Sequence, residues 1–437
     1  MLFHSTAFAV FFIIVFILYI KLPHKLQNRM LLIASYIFYG AWEWKYLALL
    51  FISTLTDYFC GLGVEKSEDS LKKRFVYLSV FINLTLLGIF KYYGFFAENF
   101  QNLMASFGVE THPYFLNIAL PVGISFYTFQ SISYTVDVYR GKLKACNNFL
   151  DFSLYVSFFP QLVAGPIERG TRLLPQILNA RKITKENIIK GLYCIFWGLF
   201  LKVVIADNMA NLVDPIYDID KSPNGILTLL ATYSFAIQIY CDFSGYSLIA
   251  IGLALLMGIE LMENFRRPYF SLNISDFWRR WHISLSSWFR DYMFSPLYIY
   301  FQNSFFLKNK SIYLRHIIFF LLTLFATEFL LGLWHGAGWN YAFFGVYHAF
   351  LIGGYYLLKK YWDKLNKYIQ IFLTFNLVCV GWLIFRSESL VQSLILIKSI
   401  FTDWNLSNDL IPIYLKQFLA LSSLLFAHEI VEEIKNK

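Results

Sequence analysis

The stretch ILTLLATYSFAIQIYCDFSGYSLIAIGLALLMG, Ile226 to Gly258, decides the fold class, because a single charged residue, Asp242, interrupts it. A bilayer core about 30 Å thick is crossed by about 20 apolar residues in a helix, so this run is long enough to span with residues to spare. Working outward, similar runs recur at roughly 2–20, 30–41, 46–63, 75–96, 115–136, 151–167, 190–206, 315–333, 339–358, 368–385 and 410–428. Little sequence is left between them for a soluble domain. The expectation is an all-α, polytopic integral membrane protein of about 10–12 tilted or re-entrant helices, forming one membrane domain over residues 1–437.

Composition agrees. Of 437 residues, 58% are hydrophobic, 20% aromatic and 15% charged, against roughly a quarter charged in soluble domains. The net charge of +9 does not indicate nucleic acid, since Lys and Arg sit in short loops and form no continuous stripe. Lipid head groups and topology account for it. The five cysteines are scattered without a C-x-x-C pair, which argues against a disulfide framework or a cysteine metal site. The run from Leu2 to Ile20 has no charge before it and no cleavage site after it, and reads as a retained first helix.

Loop charges orient the chain. Lys21, Lys25 and Arg29, then Lys66, Lys72, Lys73 and Arg74, then Arg140, Lys142 and Lys144 mark loops that alternate with poorer ones, including 97–114, which has no Lys or Arg. Short cytoplasmic loops are the basic ones, so the N-terminus is expected outside. The short piece before Trp42 and the piece ending in Gly165-Pro166 are expected to be tilted, broken or re-entrant, which is tolerated only where backbone is buried in protein.

Between Glu260 and Leu297 the texture changes, with Arg266, Arg267, Arg279, Arg280 and Arg290 interleaved with Trp278, Trp281, Trp288, Phe and Tyr. This is too polar to span. It suits either an interfacial amphipathic helix or a segment dipping into a polar cavity, where guanidinium stacks on rings and holds anions.

Ionisable residues inside apolar runs are costly and are functional candidates by default. His335 stands in Leu333-Trp334-His335-Gly336-Ala337-Gly338-Trp339-Asn340, where the tryptophans supply an apolar wall and the glycines permit close backbone approach. His348 lies on another face of a continuous helix and reads as a packing or hydrogen-bonding residue. Asp242 must be paired, hydrogen-bonded or wet, which leaves a structural lock and a substrate contact equally open. A lone buried histidine is more often core than catalytic. Residues alone therefore leave the chemistry open. His282 and His335 lack the spacing of a zinc site, and no G-x-S-x-G elbow, P-loop or dinucleotide fingerprint is present.

Five motifs in order carry a resemblance: Pro121–Gln130 leading into Val136–Gly141, Phe158–Ile167, Asp242–Gly245, Trp278–Ser284 and Leu333–Trp339. Together they resemble the membrane-bound O-acyltransferase family over nearly the whole chain, within it the alginate and peptidoglycan O-acetyltransferase branch. The D-alanyl transfer proteins of teichoic acid are more distant. Ser295–Tyr300 stands where the alginate branch commonly carries a Gly-Gly-Asn-Arg type stretch, which bears on the acceptor. The resemblance implies a ring of tilted helices around a central tunnel, with His335 as the buried catalytic histidine and His282 as the second functional one. Substrate contacts are expected from Asp242, Trp278, Arg279, Arg280, Trp334 and Asn340. It implies an acyl thioester donor such as acetyl-CoA, no tightly bound cofactor or metal, and an extracytoplasmic polysaccharide as acceptor. An esterase-like extracytoplasmic partner is expected, as the run ending near 428 is followed by no globular domain. The expected location is the plasma (inner) membrane. The rival readings are D-alanyl transfer, a transporter, and a scaffold for polysaccharide export.

Overall fold

A computed structural model describes residues 1–112, 120–218, 224–304 and 311–435. All regular elements among the described residues are helices. Eight helical runs are long and apolar enough to cross a membrane, beginning with His24–Lys66 and ending with Leu410–Lys435; Thr6–Lys21 and Leu390–Thr402 are shorter apolar helices. The first part of the expected 115–136 segment lies outside the described residues; the rest forms the helix Ile124–Tyr139. The chain divides into two compact units, Met1–Phe196 with Tyr246–Met262, and Trp197–Gly245 with Glu263–Lys437.

In the first unit one expectation is corrected. The piece before Trp42 is no fragment: the helix runs His24–Glu43. Its polar first turns were discounted by hydropathy, yet they are held by partners. Asn28 donates to the Asp151 carboxylate and the Ile177 carbonyl at 2.9 Å each, and accepts from Arg181 at 2.6 Å.

The 151–167 segment is broken, as its Gly and Pro suggest, into Phe149–Ser157 and Phe159–Leu162. Backbone groups freed at the break are satisfied from neighbouring helices, the condition for irregular chain at membrane depth. The Phe159 N–H donates to the Ser35 hydroxyl at 3.1 Å, and the Tyr155 carbonyl accepts from Gln130 at 2.6 Å and Gln161 at 3.0 Å. Two motifs of the resemblance, around Gln130 and Gln161, thus act as joinery. Asp57, fully buried on Leu47–Lys66, is tolerated for the same reason: its carboxylate accepts from Ser79, from Asn83 at 2.8 Å and from Thr135 at 3.1 Å.

The second unit is built around the hairpin of Ile312–His335 and Trp339–Trp362. A Cβ on Gly332 or Gly345 would collide with the backbone of the facing helix, so these glycines set how closely the two helices cross. The polar 260–297 stretch forms short pieces, chiefly Ile274–Arg280 and Ile283–Phe289. It is not a surface amphipathic helix: Phe277, Trp278, Trp281 and His282 are buried.

Candidate active site

His335 is the last residue of its helix. Its ring meets Trp334, Phe385 and Phe344 edge-on at centroid distances of 5.1, 5.3 and 6.0 Å. Two cavities lie within the second unit. One, of about 300 Å³, is lined by Trp278, Arg279, Arg290, Glu328 and Leu331 among others; Glu328 lies two helical turns before His335, on the same face at about 100° per residue. The other, of about 320 Å³, is lined by Gln238, Asp242, Tyr341, Phe385 and Arg386. Phe385, which touches the His335 ring, is part of its wall.

His282 is fully buried, with backbone φ of 43°. That left-handed conformation costs a non-glycine residue free energy and persists where the surroundings over-determine it. Here the determinant is Asn264. Its side-chain carbonyl accepts from the Ser284 N–H at 3.2 Å and the Ser284 hydroxyl at 2.9 Å, and lies 3.1 Å from His282 Nδ1. An amide oxygen only accepts, so Nδ1 carries the hydrogen and Nε2 is left as the basic nitrogen. Burial, and secondarily the neighbouring His335, hold the imidazole pKa well below its usual value. Trp334 joins the two histidines, with its ring 5.8 Å from His282 and 5.1 Å from His335.

The structure brings His335, His282 and Trp334 together, and sets Trp278 and Arg279 on one cavity and Asp242 on the other. Asp242 pairs with Lys202 at 2.5 Å and lines this cavity. Lys202 also reaches Asp207 at 2.8 Å, from a π-helical stretch, Phe200–Ala206, of the kind that often accompanies functional sites. Arg280 is committed to Asp276 at 3.1 Å. Asn340 donates to the Ser387 carbonyl at 2.8 Å, tying the hairpin turn to the next helix. His348 is a packing residue, as its position on the helix suggests: fully buried, it accepts from the Trp278 indole at 3.2 Å.

Glu328, Lys202, Gln238, Tyr341 and Arg386 escaped the sequence reading. For Glu328 and Lys202 a signal was present, because each is an ionisable residue inside an apolar run, the criterion that singled out Asp242. Gln238, Tyr341 and Arg386 carry no such mark; only the packing of three helices assembles them.

Helices this long and apolar define a multi-pass membrane protein. The chain belongs to the membrane-bound O-acyltransferase family, whose model it matches over residues 36–390. It is accordingly an acyltransferase. It is 39% identical to the probable alginate O-acetylase of Pseudomonas putida, over 93% of this chain and 82% of that one. It is 36% identical to the peptidoglycan O-acetyltransferase of Helicobacter pylori, over 84% and 72%. A more limited match, 33% identical over 62% of this chain and 70% of the other, is to the teichoic acid D-alanyltransferase of Bacillus subtilis.

Proposed function

We propose that this chain moves an acetyl group from a cytosolic thioester to an acceptor on the far side of the membrane, for O-acetylation of an envelope polysaccharide. The observation that carries the reading is the meeting of His335 and His282 across Trp334, with Glu328 of one cavity two turns before His335 on its helix and Phe385 of the other cavity against its ring. His335 takes the proton of the acceptor hydroxyl as its oxygen attacks the thioester carbonyl; the C–S bond breaks and the proton leaves with the thiol. His282, neutral and fixed by Asn264, orients the thioester or stabilises the developing charge. The matches to alginate and peptidoglycan enzymes favour acetyl transfer over D-alanyl transfer, since they cover more of this chain.

Charge distribution supports the direction. In the second unit Lys359, Lys360, Lys364 and Lys367 gather around the turn between Trp339–Trp362 and Lys367–Arg386, the mark of a cytosolic end. The opposite end of these helices holds Arg386 paired with Asp214 at 3.0 Å, beside the His335 turn. That end, and the N-terminus by the loop charges of the first unit, would face outside the plasma membrane.

The acceptor-side cavity is the size of one sugar ring or one side chain, so a partner protein is the expected carrier to the polymer. The purified chain alone should consume donor slowly and acetylate long polymer poorly. The deciding experiment is deletion of the chain, followed by release of base-labile esters from each envelope polysaccharide. Loss of acetate from one polymer supports the reading; loss of D-alanine would assign the rival; loss of neither would refute it.

A further inference from the structure

The cavity of about 300 Å³ holds a carboxyl that no step above uses. Glu328 sits in the middle of an apolar helix, and its Oε2 has no accessible surface and no hydrogen-bond partner among the described residues. An acid in that position is costly unless something pairs with it. Two neighbouring hydroxyls donate elsewhere: Thr327 to the Thr323 carbonyl at 2.7 Å and Ser286 to the Trp281 carbonyl at 3.1 Å. Toward solvent the same cavity is edged by two exposed arginines, Arg279 and Arg290. Arg290 pairs with Asp291 at 2.8 Å, whereas no salt bridge engages Arg279 among the described residues. The cavity lining thus combines exposed cations, apolar side chains and a carboxyl with one unpartnered oxygen, and His335 lies about 10 Å from Glu328 along the helix, taking 1.5 Å per residue.

We propose that Glu328 is a specificity-determining residue that pairs with a secondary amide in the arm of a phosphopantetheine-type thioester, while Arg279 and Arg290 receive the arm's phosphate at the mouth. A carboxyl matches a secondary amide in either protonation state, accepting from its N–H or donating to its C=O. Guanidinium matches phosphate. The arm thereby sets how deep the thioester reaches, delivering its carbonyl to His335 and not to a more distant point. The inference rests on the donor reading above and adds the residue that distinguishes this donor from thioesters of similar reactivity. The shared chemistry belongs both to coenzyme A and to the prosthetic arm of a carrier protein.

The test uses the full chain in nanodiscs of neutral lipid, as wild type, Glu328→Gln and Glu328→Leu. Coenzyme A binding is measured first, and phosphopantetheinylated carrier protein is tried in parallel to separate the two sources. Turnover of phenyl thioacetate, which has neither amide nor phosphate, is the control. Glu328→Gln should bind as wild type, and Glu328→Leu about ten- to a hundredfold more weakly, the effect of one buried hydrogen bond to a charged or strongly polar group. Phenyl thioacetate should turn over equally in all three. Equal binding of the arm by wild type and Glu328→Leu overturns the inference alone. So does loss of phenyl thioacetate turnover in Glu328→Leu at normal protein level, or competition for the site by anionic lipid but not by the arm. Should wild type bind neither coenzyme A nor the carrier arm, the donor reading itself fails with it.

Discussion

Replacing His335 and His348 in turn by alanine separates chemistry from packing on one hairpin. His335 is half-buried at a helix end, with its ring edge-on to three aromatic neighbours. Truncation there should cost about 1 kcal/mol of stability. Loss of a general base should cost 10²- to 10⁴-fold in rate, or about 3–5 kcal/mol of barrier. His348 is the reverse case. Its ring is fully buried, 4.6 Å from Phe344 and 5.1 Å from Trp278, and the Trp278 indole donates to its Nδ1. Alanine there leaves a buried donor unpaired, about 1–3 kcal/mol, and opens a cavity whose cost is of similar size. Together these reach about 2–6 kcal/mol, a large share of a net stability of about 5–15 kcal/mol. The assay is polymer-bound acetate divided by membrane-inserted protein. His335→Ala should keep its protein and lose acetylation at least a hundredfold; His348→Ala should lose protein, with acetylation per molecule far less affected. Near-normal acetylation by His335→Ala at normal abundance would remove the catalytic assignment and favour a transporter or scaffold.

Asn264→Leu should deplete the protein, because it strips one acceptor from the Ser284 N–H, the Ser284 hydroxyl and His282, whereas Asn264→Asp should insert normally yet lose activity, its carboxylate drawing a second proton onto His282; equal activity of the aspartate variant and wild type would refute the tautomer argument. Burial pushes the Glu168 carboxyl up to about 7, opposed by the Met262 N–H and by Arg172. The folded chain therefore holds a proton that the unfolded chain releases, so stability is greatest below the ordinary glutamate range and declines as pH rises toward 7, by at most about 3 kcal/mol. Thermal unfolding of Glu168→Gln should show a shallower loss between pH 5 and pH 8; identical slopes would exclude Glu168 as the source. A cysteine introduced at Asn102 should label from outside, and one at Ser70 only after permeabilisation. The reverse pattern would invert the direction of transfer.

Hydropathy and charge were enough to read the class, because the bilayer imposes a length and a polarity on every crossing whatever the helices pack against. Motif order was enough to read the family, and it singled out His335 and His282 as the candidates that the fold brings together around Trp334. The sequence also showed that Asp242 needed a partner, without saying which. What it concealed were relations between distant segments. The polar first turns of His24–Glu43 look like loop until Asp151, Ile177 and Arg181 are seen to hold them. Lys202 and Asp242 form one ion pair across two helices. Asp276 engages Arg280 and the Ser387 carbonyl engages Asn340, pairings that no motif announces. Glu328 acquires meaning only when the Ile274–Arg280 and Ile283–Phe289 pieces fold against its helix and leave a cavity there. Solvent preference is a property of each residue and survives in a linear string; hydrogen bonding and cavity shape are properties of pairs and groups, and only the folded chain decides which residues meet.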